Sequence, residues 1–116
     1  MTRDPFFWAA MAFVALLVVR QVLAARNRIA GPVARAKVAA GALLLDVRSE
    51  MEFRGGAIPG AKNIPVQSLS GRVGELDRGR PVVVYCASGM RSASAVSLLK
   101  RNGFTEVHDL GPASAW

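Results

Sequence analysis

The chain has one cysteine and one histidine, and that scarcity removes several chemistries at once. A lone cysteine excludes an internal disulfide and suits a reducing compartment. One Cys and one His cannot supply the nitrogen and sulfur ligands of a structural zinc site, so no metal and no cofactor is expected. No histidine base stands ready for the thiol either, since His108 is expected exposed on a strand remote from it. Acids are few: 8 Asp and Glu face 15 Lys and Arg, for a net charge of +7. Repeats and low-complexity tracts are absent, and 116 residues leave room for one domain.

The cationic excess is uneven. Arg3, Arg20, Arg26, Arg28, Arg35 and Lys37 are opposed by Asp4 alone, a balance of +5 that leaves +2 for everything after Lys37. A nucleic-acid binder concentrates charge on its folded domain. Here the charge flanks an apolar segment, so a membrane is expected and nucleic acid is not. Phe6 to Val19 has no polar side chain, and Val22 to Ala25 resumes after Arg20 and Gln21. Residues 6–25 as a helix span about 30 Å, enough to cross a hydrocarbon core, with Arg20 snorkelling to the interface. Phe6, Phe7 and Trp8 suit the opposite boundary.

A cleaved signal peptide is the competing reading. Asp4 in its charged region, Arg20 and Gln21 late in its apolar region and the imperfect Leu23-Ala24-Ala25 site speak against it. The division adopted is an anchor over residues 1–28 and a folded domain over 29–116. Arg20, Arg26 and Arg28 on one side against Arg3 on the other orient the domain toward the cytoplasm as a single-pass protein. Arg35 and Lys37 would then meet anionic lipid, or serve simply as a solvated helix face.

The chemistry centres on Val82-Val83-Val84-Tyr85-Cys86, a short apolar run that reads as a buried strand. Ala87-Ser88-Gly89-Met90 turns the chain, and Arg91-Ser92 opens a helix. Strand, tight loop and helix aim several amide N–H groups at one point. A thiol there is favoured as its anion, the form that acts as nucleophile. Cys86 taken alone reads first as a small buried hydrophobe. Gly89, which permits a backbone turn, and Arg91, which brings a permanent cation, are not needed by such a residue.

Cys86-Ala87-Ser88-Gly89-Met90-Arg91 resembles the active loop of rhodanese-type sulfurtransferases. Upstream, Asp46-Val47-Arg48 at a strand end and Ile58-Pro59-Gly60-Ala61 in a turn resemble further family motifs. Downstream, Gly103-Phe104, Leu110-Gly111 and Trp116 resemble its closing pattern. The resemblance covers about Ile29 to Trp116. It implies an α/β, three-layer rhodanese-like fold with a five-stranded parallel sheet and the cysteine strand central. It also implies that Asp46 supports the site by ordering neighbouring loop backbone and pairing with Arg48; a purely structural ion pair is the competing reading of these two residues. Four residues separate Cys86 from Arg91, where phosphatases of related fold have five, so a persulfide or small sulfur oxyanion fits better than phosphate. Two positions depart from the pattern: Ala57 replaces a common histidine, and Pro112 the second of two glycines.

The rest of the chain alternates accordingly. Pro32 to Ala40 reads as a helix and Leu43 to Val47 as a buried parallel strand. Ser49 and Glu52 have capping-box spacing, and Asn63-Ile64-Pro65 is a brief strand. Val66, Leu69, Val73 and Leu76 share a helix face that Gly71 and Gly74 weaken. Arg91 to Lys100 is a helix and Glu106 to Leu110 the last strand.

The expected activity is ping-pong sulfur transfer from thiosulfate or a persulfide, through a Cys86 persulfide, to cyanide or a thiol. Cys86 is catalytic. The amides of Ala87, Ser88, Gly89, Met90, Arg91 and Ser92 bind the sulfur, and Arg91 holds an anionic donor. The alternative is a tethered binding module without turnover. No particular membrane-protein partner is identified.

Overall fold

The computed structural model describes residues 3–116. Helix α1, Pro5–Arg26, is apolar, and its large side chains from Phe6 to Leu23 are exposed. After four intervening residues α2, Gly31–Ala39, begins with Pro32 in its first turn, where a missing N–H does no harm. Then follow β1 (Leu43–Asp46), α3 (Glu50–Arg54), β2 (Lys62–Asn63), α4 (Val66–Arg72), β3 (Val82–Cys86), α5 (Met90–Arg101) and β4 (Val107–Pro112). Helix α4 stops at Arg72 and continues as a 3-10 turn over Val73–Glu75. Gly71 and Gly74 lower helical stability where the expected helix would have run on.

All strand pairs are parallel, in the order β2-β1-β3-β4. The cysteine-bearing β3 is therefore central and buried at every position. Successive residues of β3 face opposite sides. Val82, Val84 and Cys86 pack with Leu45, Ile64, Leu69, Ala95 and Leu99 beneath α4 and α5. Val83 and Tyr85 pack with Ala34, Leu44 and Leu110 on the α2 side, where Trp116 also rests. Three layers result.

The sheet has four strands, not the expected five. Beyond β4, among the described residues, there is a single parallel bridge, Arg28 to Asp109, continued by Ile29 N donating to Asp109 O at 2.9 Å. The extended stretch between the end of α1 and the start of α2 is too short to build a ladder. Pro32 then commits the backbone to helix.

Candidate active site

Residue by residue, β3 carries Cys86 to the C-terminal edge of the sheet, where it is fully buried. Ala87 and Ser88 lie exposed in the turn that follows. Gly89 has φ +99°, a left-handed conformation that side-chain-bearing residues resist, and it precedes the first turn of α5. That reversal returns the chain over the sulfur. Gly89 N donates to Cys86 Sγ at 2.9 Å and Ser92 N at 3.3 Å. Ser92 N is one of the amides that the start of a helix leaves without an intrahelical acceptor. Its hydroxyl closes the turn by donating to Gly89 O at 3.1 Å. Of the six loop residues expected around the sulfur, Gly89 and Ser92 are thus the two whose amides bond it. Both N–H groups are thus aimed at the sulfur from the turn that closes over it.

Arg91 is not aimed at open solvent. Its Nη1 and Nη2 donate to Glu52 Oε1 and Oε2 at 2.6 and 3.0 Å. Glu52 also completes the capping box of α3, taking Ser49 N at 3.0 Å while Ser49 Oγ accepts from Glu52 N at 3.1 Å. The guanidinium is the main reason that the Glu52 carboxyl is held at about 2. In turn, Glu52 and, to a lesser degree, the nearby Cys86 hold the Arg91 proton more tightly. The capping-box spacing was legible in the chain; the pairing with Arg91 across 39 positions was not.

Asp46 and Arg48 do pair, with Arg48 Nη2 and Nε donating to Asp46 Oδ2 at 2.7 and 3.0 Å. Their strand end adjoins that of β3, with Asp46 opposite Tyr85 in the register. Asp46 Oδ1 takes Arg48 N at 2.8 Å, and Arg48 Nη2 holds Gly56 O at 2.8 Å. Asn63 Nδ2 clasps the carbonyls of Asp46 and Arg48 at 3.0 and 2.9 Å. Ile58 N donates to the Tyr85 hydroxyl at 3.2 Å, and burial, with Asp46 nearby, pushes that phenol up to about 12. A neutral Tyr85 therefore fixes the Ile58-Pro59-Gly60 turn.

Two side chains of this region had no signal in the sequence. Asp109 is buried at a bulge in β4, where Val84 pairs with Asp109 and Tyr85 already with Gly111. Its Oδ1 accepts Gly111 N at 2.8 Å, and burial raises its carboxyl pKa against the pull of Ser92, Gly111 and Arg28. Arg28, counted above among the cations flanking the apolar segment, lays its side chain against Gly89 and Gly111. Such contacts depend on a bulge and a bridge that no local periodicity encodes. His108 is half-buried on β4 and meets Glu106, with Nε2 to Oε2 3.0 Å. Of the two residues considered for lipid contact, Arg35 donates to Trp116 O and Lys37 approaches Glu106 at 3.8 Å. Among the described residues, no three Cys, His, Asp or Glu side chains converge to hold a metal ion.

Comparison with known proteins gives a consistent result. A family profile described as "Rhodanese-like domain" matches residues 30–114. The uncharacterized protein YqhL of Bacillus subtilis is 45% identical over 69 residues, which are 60% of this chain and 55% of that protein. A protein named sulfurtransferase from Allochromatium vinosum is 39% identical over 75 residues, 64% of this chain and 70% of its own length. The thiosulfate sulfurtransferase GlpE of Shewanella oneidensis is 38% identical over 74 residues, 63% of this chain and 73% of its own. Among solved structures, the human single-domain sulfurtransferase TSTD1 superposes with a TM-score of 0.66 at 30% identity, covering 78% of this chain and 91% of that one.

Proposed function

The chain belongs to the rhodanese-like domain family, and from that premise we propose that it is a sulfurtransferase anchored to a membrane by residues 1–28, with its domain over 29–116 in the cytoplasm. The observation that carries the enzymatic reading is the pair of amides, Gly89 N and Ser92 N, that meet Cys86 Sγ at 2.9 and 3.3 Å. They converge on the reacting sulfur and stand as donors for a second sulfur attached to it.

In the first half-reaction the Cys86 thiolate attacks the outer sulfur of thiosulfate. A new S–S bond forms to Cys86, the donor's S–S bond breaks, and its electron pair leaves with sulfite. A persulfide donor reacts in the same way and releases a thiolate. In the second half-reaction cyanide or a cellular thiolate attacks the terminal sulfur of the Cys86 persulfide. Thiocyanate or a new persulfide departs, and the thiolate returns with its electron pair. Both halves conserve charge, and neither needs a proton at the reacting sulfur. Asp46 and Arg48 support this chemistry by ordering the neighbouring loops.

The anchor reading is supported by the exposed apolar side chains along α1 and by the arginines gathered at one end of it. Headgroup lipid and small sulfur compounds are then the partners. The second reading, a binding module without turnover, draws on one observation: Cys86 is fully buried beneath its loop. Incubating the full chain in detergent with thiosulfate, then with cyanide, separates the two. Transfer predicts a mass gain of one sulfur on the protein, its loss on adding cyanide and a matching release of thiocyanate, all absent in Cys86→Ser. A native protein that gains no sulfur is the binding module.

A further inference from the structure

The cation that the loop motif assigned to the donor is already occupied, because both terminal nitrogens of Arg91 bond Glu52. Arg28 is placed differently. Its backbone bridges Asp109 at the sheet edge, and its side chain crosses Gly111 to end against Gly89. A Cβ added at Gly111 would stand 2.6 Å from Arg28 Cδ and Nε; one at Gly89 would stand 2.6 Å from Cζ. Glycine at both positions is what lets the guanidinium reach the loop. Gly89 N in turn donates to Cys86 Sγ at 2.9 Å. Standard bond lengths then put the guanidinium carbon within about 8.5 Å of the sulfur.

Arg48, Arg72 and Arg91 are each held by a carboxylate. Among the described residues Arg28 forms no ion pair, and its Nε is buried without an acceptor. Asp109 feels the Arg28 charge, but its Oδ1 is engaged by Gly111 N. A buried guanidinium N–H left unbonded is unfavourable, so a purely structural arginine would be expected to take an acceptor. An arginine carried here without one is suited to a charge that arrives with the substrate.

We infer that Arg28, supplied by the segment joining α1 to the domain, is a positioning residue that sets the charge preference for the sulfur donor. This rests on the sulfurtransferase reading. Thiosulfate carries two negative charges and a thiosulfonate one, while the sulfur transferred is the same. A single nearby cation attracts the dianion more strongly, so its removal penalises thiosulfate selectively. The Arg28 cation also couples the site to the anchor, because only Asn27 separates it from α1.

The experiment measures kcat/KM of the full chain in detergent with thiosulfate and with benzenethiosulfonate. Arg28→Met is expected to lower the thiosulfate-to-benzenethiosulfonate ratio about fivefold, chiefly through the KM for thiosulfate, and Arg28→Lys to restore most of it. A ratio that stays put in Arg28→Met, with both donors losing equally, overturns the inference and leaves Arg28 a packing residue. Should Arg28→Met not fold, salt titration of the native protein decides. KM for thiosulfate must climb more steeply with ionic strength than KM for benzenethiosulfonate, and equal slopes overturn the inference. Native protein that takes no sulfur from either donor defeats the sulfurtransferase reading and this one together. Turnover with an unaltered ratio defeats the Arg28 role alone.

Discussion

Arg91 and Glu52 form a two-pronged ion pair, 2.6 and 3.0 Å, that ties the first turn of α5 to the first turn of α3. One carboxylate thereby caps one helix and restrains the arginine of the sulfur loop. The pair is about one-third exposed on each side, so water and salt weaken it. Its weight lies in geometry: it sets where the Arg91 cation can go.

Releasing that restraint alters donor binding. Glu52→Gln removes the counter-charge and leaves Arg91 able to turn toward an anionic donor. KM for thiosulfate is expected to fall about two- to fivefold while kcat changes less, the pattern of a change in ground-state binding. Steady-state kinetics of the full chain check this. A rise in KM means that the pair holds Arg91 in its working position instead.

Acid stability follows from the same pair. The Glu52 carboxyl is held at about 2, against 4.5 for an ordinary glutamate, chiefly by Arg91. A folded value below the unfolded one gives stabilisation that is complete above about pH 4.5 and is lost as pH falls toward 2. The Tm difference between native protein and Glu52→Gln is therefore expected to shrink across that window. Thermal melts in a pH series test it, and a gap that widens on acidification contradicts the assignment.

Gly89→Ala is expected to damage both fold and activity. Its φ of +99° costs a side-chain-bearing residue about 1–2 kcal/mol. The new Cβ would also stand 2.6 Å from Arg28 Cζ, so the guanidinium must move. Chemical denaturation measures the loss. Adding Arg28→Ala to Gly89→Ala should recover the steric part and leave the backbone part; full recovery would mean that φ carries no strain.

Membrane association is expected to depend on α1. In expressing cells the full chain should stay with membranes through alkaline carbonate extraction, and replacing Leu16 and Leu17 with Lys should release it. Protease added to intact spheroplasts should spare the domain. Digestion from outside reverses the orientation; extraction of the unaltered chain by carbonate removes the anchor.

Much of this was legible in the chain because it is local. Ser49 and Glu52 stand three residues apart and build the cap that spacing predicts. The run Val82–Cys86 is β-branched and apolar, and it forms the central strand. The turn at Gly89 and the amides over Cys86 lie within six residues of one another. The uninterrupted apolar run from Phe6 to Val19 forms a helix for the same reason: neighbours along the chain decide it.

What tertiary structure alone decided are the meetings of distant residues. Glu52 reaches Arg91 because the fold brings the first turns of α3 and α5 within ion-pair distance across 39 positions of chain. Arg28 reaches Gly89 across Gly111, where the lack of a side chain at both glycines leaves room for it. The sheet stopped at four strands because Pro32 ends the extended stretch before a ladder can form. Composition and spacing dictate hydrogen bonds and turns across a few residues. Which charge faces which, once a parallel sheet has folded elements tens of residues apart together, is set by packing, and the order of residues carries no local mark of it.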